Sequence, residues 1–309
     1  MKNIFLNVFP FNRRTEMTSV EYVLKKLLAF VFIFFLSGVI GEGVIIAVST
    51  SMGYDPLHGD IPTGQFFALI ILCGYLIYSI VALLYCKIFE KRGLKDIGFC
   101  RKGSDYLPGI LIAIIMLAIV IATCCLTGSF SFESINTNID LPMFFYAIVA
   151  YIIQGSEEEI LCRGFLMGSL QKKLSVPMAI FISSSAFVAP HLLMTGLLDS
   201  GALFATIGII NLYLISILFS ILMLWRKNIW ICCGLHTAWN FILSVVLGLT
   251  VSGNEAESEG LLLFHINKPD ALNGSVYGIE AGLATTIVTI LMICVIIYLW
   301  KGRDAHGIQ

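Results

Sequence analysis

Apolar runs long enough to cross a bilayer recur along the chain, and they set its architecture before any single residue is considered. A helix needs about 20 apolar residues to span a hydrocarbon core of roughly 30 Å. Such runs fall at about 27–48, 65–86, 107–127, 142–163, 176–191, 203–225, 229–250 and 280–300. The pattern predicts an all-α integral membrane protein, a polytopic bundle of about eight transmembrane helices. No Pro/Ser-rich linker, charge block or short repeat divides the series. The expected organisation is an N-terminal cytoplasmic or interfacial segment, 1–26, followed by a single membrane domain, 27–309. The segment 1–26 mixes Phe, Asn and basic side chains, which suits a chain lying against headgroups. The stretch 251–279 is the longest outside the apolar runs and reads as a mobile external loop.

Composition narrows the class. Of 309 residues, 58% are hydrophobic and 13% charged, a balance that excludes a soluble globular domain. Charge then orients the bundle. Eighteen of the nineteen Lys and Arg fall on alternate connections, on one side; Lys268 is the exception. The opposite connections carry Asp55, Asp60, Glu133, Asp140, Asp199, Glu255, Glu257, Glu259 and Asp270. By the positive-inside rule both termini face the cytoplasm. The expected location is a bacterial cell membrane, as a multi-pass protein. The first apolar run starts too late and is too long for a cleaved secretory signal, whose core is roughly 7–15 residues. Nine cysteines show no Cys-x-x-Cys pair and no zinc-like spacing, and most read as small packing residues within spans. Cys162 is singled out only by its neighbour Arg163, and no base is assigned to it.

Polar residues accumulate in the fourth and seventh runs. A charged side chain at bilayer depth costs at least about 2.5–3.5 kcal/mol, so these residues must face the bundle or a wet cavity. Glu159 and Arg163 are four apart on one helix face, with the glutamate N-terminal as ion pairs prefer. Glu158 is rotated by about 100° and is free of that pairing. Phe187 with His191, and His236 with Asn240, are also same-face pairs. A carboxylate, two imidazoles and an amide are the parts of a water-activating site beside an oxyanion site. Arg163 can neutralise Glu159 and leave Glu158 as general base. Blander alternatives stand beside each: a charge network at a helix end, an interfacial histidine after Pro190, interhelical hydrogen-bonding glue at His236 and Asn240. Glu157 blurs the register, and Glu42, in the outer third of the first run, reads as reaching the interface. For Glu158 to meet His191, the fourth helix must run past Arg163, or the fifth must tilt or begin deep; a fourth helix reaching about Lys172 is expected.

Glu158-Glu159-Ile160-Leu161-Cys162-Arg163-Gly164-Phe165-Leu166, the segment Phe187 to His191, and Trp230 through Asn240 resemble three motifs of one family. It is the CAAX prenyl endopeptidase and bacteriocin-processing (CPBP) family of intramembrane glutamic proteases. Their order and separation also match, over a core of about 142–247. The resemblance implies an endopeptidase in which Glu158 and His191 activate the attacking water. His236 and Asn240 would then hold the tetrahedral oxyanion, with Glu159, Arg163 and Phe187 supporting the site. Cys162 stands where an aromatic is common, and Pro190 where a small residue is usual. No cofactor and no metal are expected, since no His-Glu-x-x-His pair is present. Cleavage is expected near the cytoplasmic side. The expected partners are membrane lipid and a peptide or protein substrate, prenylated or bacteriocin-like among the options, and not nucleic acid. Rival readings are a non-catalytic bacteriocin self-immunity protein, a zinc-dependent variant and an ion-coupled transporter. The last lacks an inverted repeat or paired broken helices.

Overall fold

The computed structural model describes residues 2–14, 16–100, 103–254, 256 and 259–305. Arg101, Lys102, Glu255 and Glu257, used above to orient the chain, lie outside them. A short helix α1 (Lys2–Val8) precedes α2 (Ser19–Ser51), which begins ahead of the apolar run. A capping box explains the early start: the Glu21 N–H donates to Thr18 Oγ1 (3.2 Å), and the Thr18 N–H to Glu21 Oε2 (2.8 Å). Phe11 packs edge-on against Phe32, Tyr85 and Phe89, so the N-terminal segment is docked on the bundle.

The helices α3 (Gln65–Glu90), α4 (Tyr106–Leu126), α5 (Leu141–Glu159), α6 (Val176–Met194), α7 (Ala202–Arg226), α8 (Trp230–Phe241) and α9 (Leu283–Ala305) follow. Asp140 caps α5 by accepting from the Met143 N–H (3.1 Å), and Pro142 sits in its first turn, where no N–H is needed. The helix then continues through a π-helical segment, Ile160–Met167, to a last turn, Gly168–Leu170. The expected long fourth helix is present.

Among the described residues, six helices are long and apolar enough to cross a membrane: α2, α3, α4 with its preceding turn, α6, α7 and α9. Two of the eight expected spans, α5 and α8, fall outside that set for physical reasons. The apolar run of α5 is broken by Glu157, Glu158, Glu159 and Arg163, and α8 with its π-helical extension Ile242–Val246 is short. Only α8 is an interior helix, since α5 exposes Phe145, Val149 and Ile152 along its first half. α8 is buried from Ile231 to Asn240 and needs no lipid-facing stripe. Glycines let its neighbours approach: a Cβ on Gly234 would lie 2.1 Å from the Tyr106 carbonyl oxygen, and one on Gly155 would lie 2.5 Å from the Thr237 nitrogen.

The two ends of the bundle differ. At the basic end, Lys26 pairs with Glu90 (2.5 Å), and Arg92 donates to Ser169 Oγ (2.8 Å) and the Gly164 carbonyl (2.7 Å). Arg226 pairs with Asp105, which also accepts from Asn228. Arg163, counted among the basic connections, is instead fully buried within α5's extension, because Glu159 and Ser216 hold its charge inside. At the acidic end the expected mobile loop is partly ordered. Strand β2 (Leu262–Ile266) pairs antiparallel with β1 (Phe130–Ile135), with a register shift between Phe132 and Ser134. No local turn joins strands so distant in sequence, so pattern alone gives no hairpin signal. Asp270 accepts from Ser129 Oγ and from the N–H groups of Leu272 and Asn273. Burial opposes its charge, but those hydrogen bonds and Lys268 hold its carboxyl below the usual carboxylate range.

Candidate active site within the bundle

The site is built on the most buried ion pair of the molecule. Arg163 and Glu159, both with fully buried side chains, pair at 3.1 Å across one helical turn. An ion pair away from water gains from further hydrogen bonds. Here they are incomplete, since Glu159 Oε2 and Arg163 Nε are buried without a hydrogen-bond partner among the described residues. Arg163 Nη2 donates to Ser216 Oγ (2.6 Å) and to the Ser216 carbonyl (3.1 Å). Its guanidinium lies 4.7 Å from the Phe187 ring centre and 4.9 Å from that of Phe219, within cation–π range.

Glu159 Oε1 also faces His236 Nδ1 at 3.0 Å. A carboxylate paired with arginine accepts only, so Nδ1 carries the proton. The His236 ring stacks on Phe219, centroids 5.1 Å apart at 18°, which fixes the direction of Nε2. His191 is oriented by a different partner: its Nδ1 lies 2.9 Å from the Phe187 carbonyl. A carbonyl also accepts only, so here too Nδ1 is the donor and Nε2 keeps its lone pair. Pro190, inside α6, has no N–H and so donates nothing to the helix ladder. Phe187 thus touches three members at once, lying 4.9 Å from His191 and 6.3 Å from His236 as well as against Arg163.

Glu158, half-buried, is turned away from Arg163, as the 100° rotation requires. Gln154 Nε2 approaches it at 3.4 Å, and Gln154 Oε1 accepts from Asn240 Nδ2 at 2.8 Å. The second N–H of the Asn240 amide is left for another acceptor. Glu158 and Gln154 from α5, His191 from α6, and His236 and Asn240 from α8 line one cavity of about 360 Å³. A second cavity, about 260 Å³, shares Glu158, Phe187 and His191 and runs between Phe30 and Phe34 of α2 and Pro190 and Met194 of α6.

The remaining walls of the first cavity place its mouth. They include Ala68 and Leu72 near the start of α3, Thr195 after α6, Ser252 and Asn254 after α8, and Glu280 before α9. All lie at the acidic end of the bundle. The expected position near the basic end is therefore corrected: that end carries the Lys26–Glu90, Arg92 and Arg226–Asp105 clusters, and none of these residues lines either cavity. The mistake came from treating Arg163 as a loop residue.

Other singled-out residues stay apart. Glu42 is exposed on α2. Glu157 lines only the second of these two cavities. Cys162 is buried, and its carbonyl accepts from Ser183 Oγ (2.7 Å). Sequence reasoning missed Gln154, Ser216, Phe219, Trp239 and Glu280. Gln154 had a signal, being a polar residue four before Glu158 on the same stripe. Among the described residues, no group of three His, Cys, Asp or Glu side chains is arranged to hold a metal ion.

The comparison with curated proteins gives no match. Residues 140–242 match a family model, Rce1-like, described as Type II CAAX prenyl endopeptidase Rce1-like. That segment supplies every one of Gln154, Glu158, Glu159, Arg163, Phe187, His191, His236 and Asn240. The similarity of residues 140–242 to the Rce1-like model supports a CAAX-type intramembrane protease in general.

Proposed function

We propose that the protein is a glutamic-type endopeptidase that hydrolyses a peptide bond inside the cavity without a metal. A water molecule between Glu158 and His191 Nε2 finds two acceptors for its two hydrogens. As its oxygen attacks the peptide carbonyl carbon, one proton passes to the Glu158 carboxylate. The oxyanion that forms accepts from the free N–H of Asn240 and from Nε2–H of His236 in its imidazolium form. Glu159 faces the opposite nitrogen of that ring and balances its charge, while Arg163 holds Glu159 in place. Glu158 then returns the proton to the leaving nitrogen, the C–N bond breaks, and a carboxylic acid and an amine depart.

One observation carries this reading: a carboxylate and an imidazole from two helices, and an imidazole–amide pair from a third, border a single cavity. The apolar walls of the second cavity suit an apolar substrate segment beside the scissile bond. With both termini cytoplasmic, the mouth at the acidic end would receive peptides from the non-cytoplasmic side. The test is cleavage of a membrane-presented peptide by the protein in bilayers. Glu158→Gln, folded and inserted in equal amount, should lose about 10²–10⁴-fold in rate, the usual worth of a general base. A variant as fast as the native chain overturns the assignment. Chelators should leave the rate unchanged, and loss restored by added zinc would contradict the metal-free part.

A further inference from the structure

Glu280 belongs to no motif above and lies outside the matched segment 140–242, yet it lines the same cavity as Glu158 and His191. It sits in the short turn Ile279–Ala281 that leads into α9. Trp239, the residue before Asn240, donates its Nε1–H to Glu280 Oε1 at 2.9 Å, and the Ser252 N–H donates to Oε2. An ionised carboxylate accepts about four hydrogen bonds, so about half of its capacity is unused. Among the described residues no lysine or arginine pairs with it. Its surroundings do not compensate either. Asp55, Asp60, Glu133, Asp140, Asp199, Glu259 and Asp270 share this end of the bundle, and Lys268 stands 3.7 Å from Asp270. A half-buried carboxylate fixed by two donors and lacking a counter-charge is costly until a cation arrives. The acidic end also draws cationic chains toward the mouth by long-range attraction.

We infer that Glu280 is a specificity residue: it receives a lysine or arginine side chain of the peptide while the neighbouring bond lies between Glu158 and Asn240. This rests on the peptidase reading for its purpose, but binding tests it separately. Trp239 links the two functions, since it anchors Glu280 and lies beside Asn240 on α8. A basic side chain seated there would fix the register of the peptide against the oxyanion groups.

The experiment uses the full chain in lipid nanodiscs and a fluorescent peptide set. A single arginine is walked along a neutral backbone, and each member has a twin with citrulline, an uncharged isostere. Binding is measured on Glu158→Gln protein, and cleavage on the native chain. One arginine position should be preferred over citrulline by about tenfold or more, as a charge-assisted bond provides. Adding Glu280→Gln should reduce that ratio to about one while citrulline peptides bind as before, which a purely structural role would not produce. Absence of any arginine preference in either assay overturns the inference, whether or not the Glu280 variant folds. So does a preference that survives Glu280→Gln. Arginine-selective binding without cleavage would leave the inference standing and refute the peptidase reading; cleavage without arginine preference does the reverse.

Discussion

The Arg163 guanidinium is shut off from water and is held by Glu159, Ser216 and two aromatic rings. Removing it leaves the Glu159 carboxylate buried with only a histidine beside it. Arg163→Leu should therefore cost about 3–5 kcal/mol of stability, the range for breaking a buried pair, seen as a lower Tm in detergent. An unchanged Tm would mean the pair is not buried as described. Asn240→Ala should behave differently. It removes one donor at the proposed oxyanion position, so kcat should fall about 10²–10³-fold with the fold intact, checked by circular dichroism on the assayed sample. At this scale the same-helix pairs were legible, because a spacing of four fixes a shared face. Ser216, Phe219 and Glu280 were not, because contacts between helices leave no spacing in the sequence.

At the scale of elements, the approach of α4 and α5 to α8 decides whether His236 and Asn240 reach the cavity. Gly109, Gly155 and Gly234 permit that approach: a Cβ on Gly109 would fall 2.2 Å from the Ile231 carbonyl oxygen, as close as that on Gly234 to Tyr106. Gly234→Val should push α4 from α8 and destabilise by at least about 1–3 kcal/mol, the usual cost of overpacking. Gly43→Ala is the control, since nothing lies within 4 Å of a Cβ there; it should leave Tm unchanged or slightly higher. Equal Tm values for the two variants would contradict this packing. Hydropathy made the helices themselves legible but not their roles. The two least lipid-like runs, α5 and α8, hold Glu158, His236 and Asn240 at the cavity, and the π-helical segment around Arg163 has no sequence signal that periodicity could detect.

The described residues form a bundle with paired charges at its basic end and cavity-lining residues at its acidic end. Charge asymmetry was legible in the sequence, whereas the position of the mouth was not, because Arg163 looks like a loop cation until its burial is seen. Sidedness can be measured with single cysteines in a chain whose nine native cysteines are replaced. Asn254→Cys should react with an impermeant maleimide on intact cells, and Lys172→Cys only after permeabilisation; the reverse pattern would contradict the orientation. The central claim is that side chains from separate helices act as one unit on one water molecule. Cleavage rates of Glu158→Gln, His191→Ala and the double variant test it most directly. Residues acting as a unit are strongly non-additive, so the double variant should be no slower than the slower single. Losses that multiply, or a single variant cleaving at the native rate, would contradict the account.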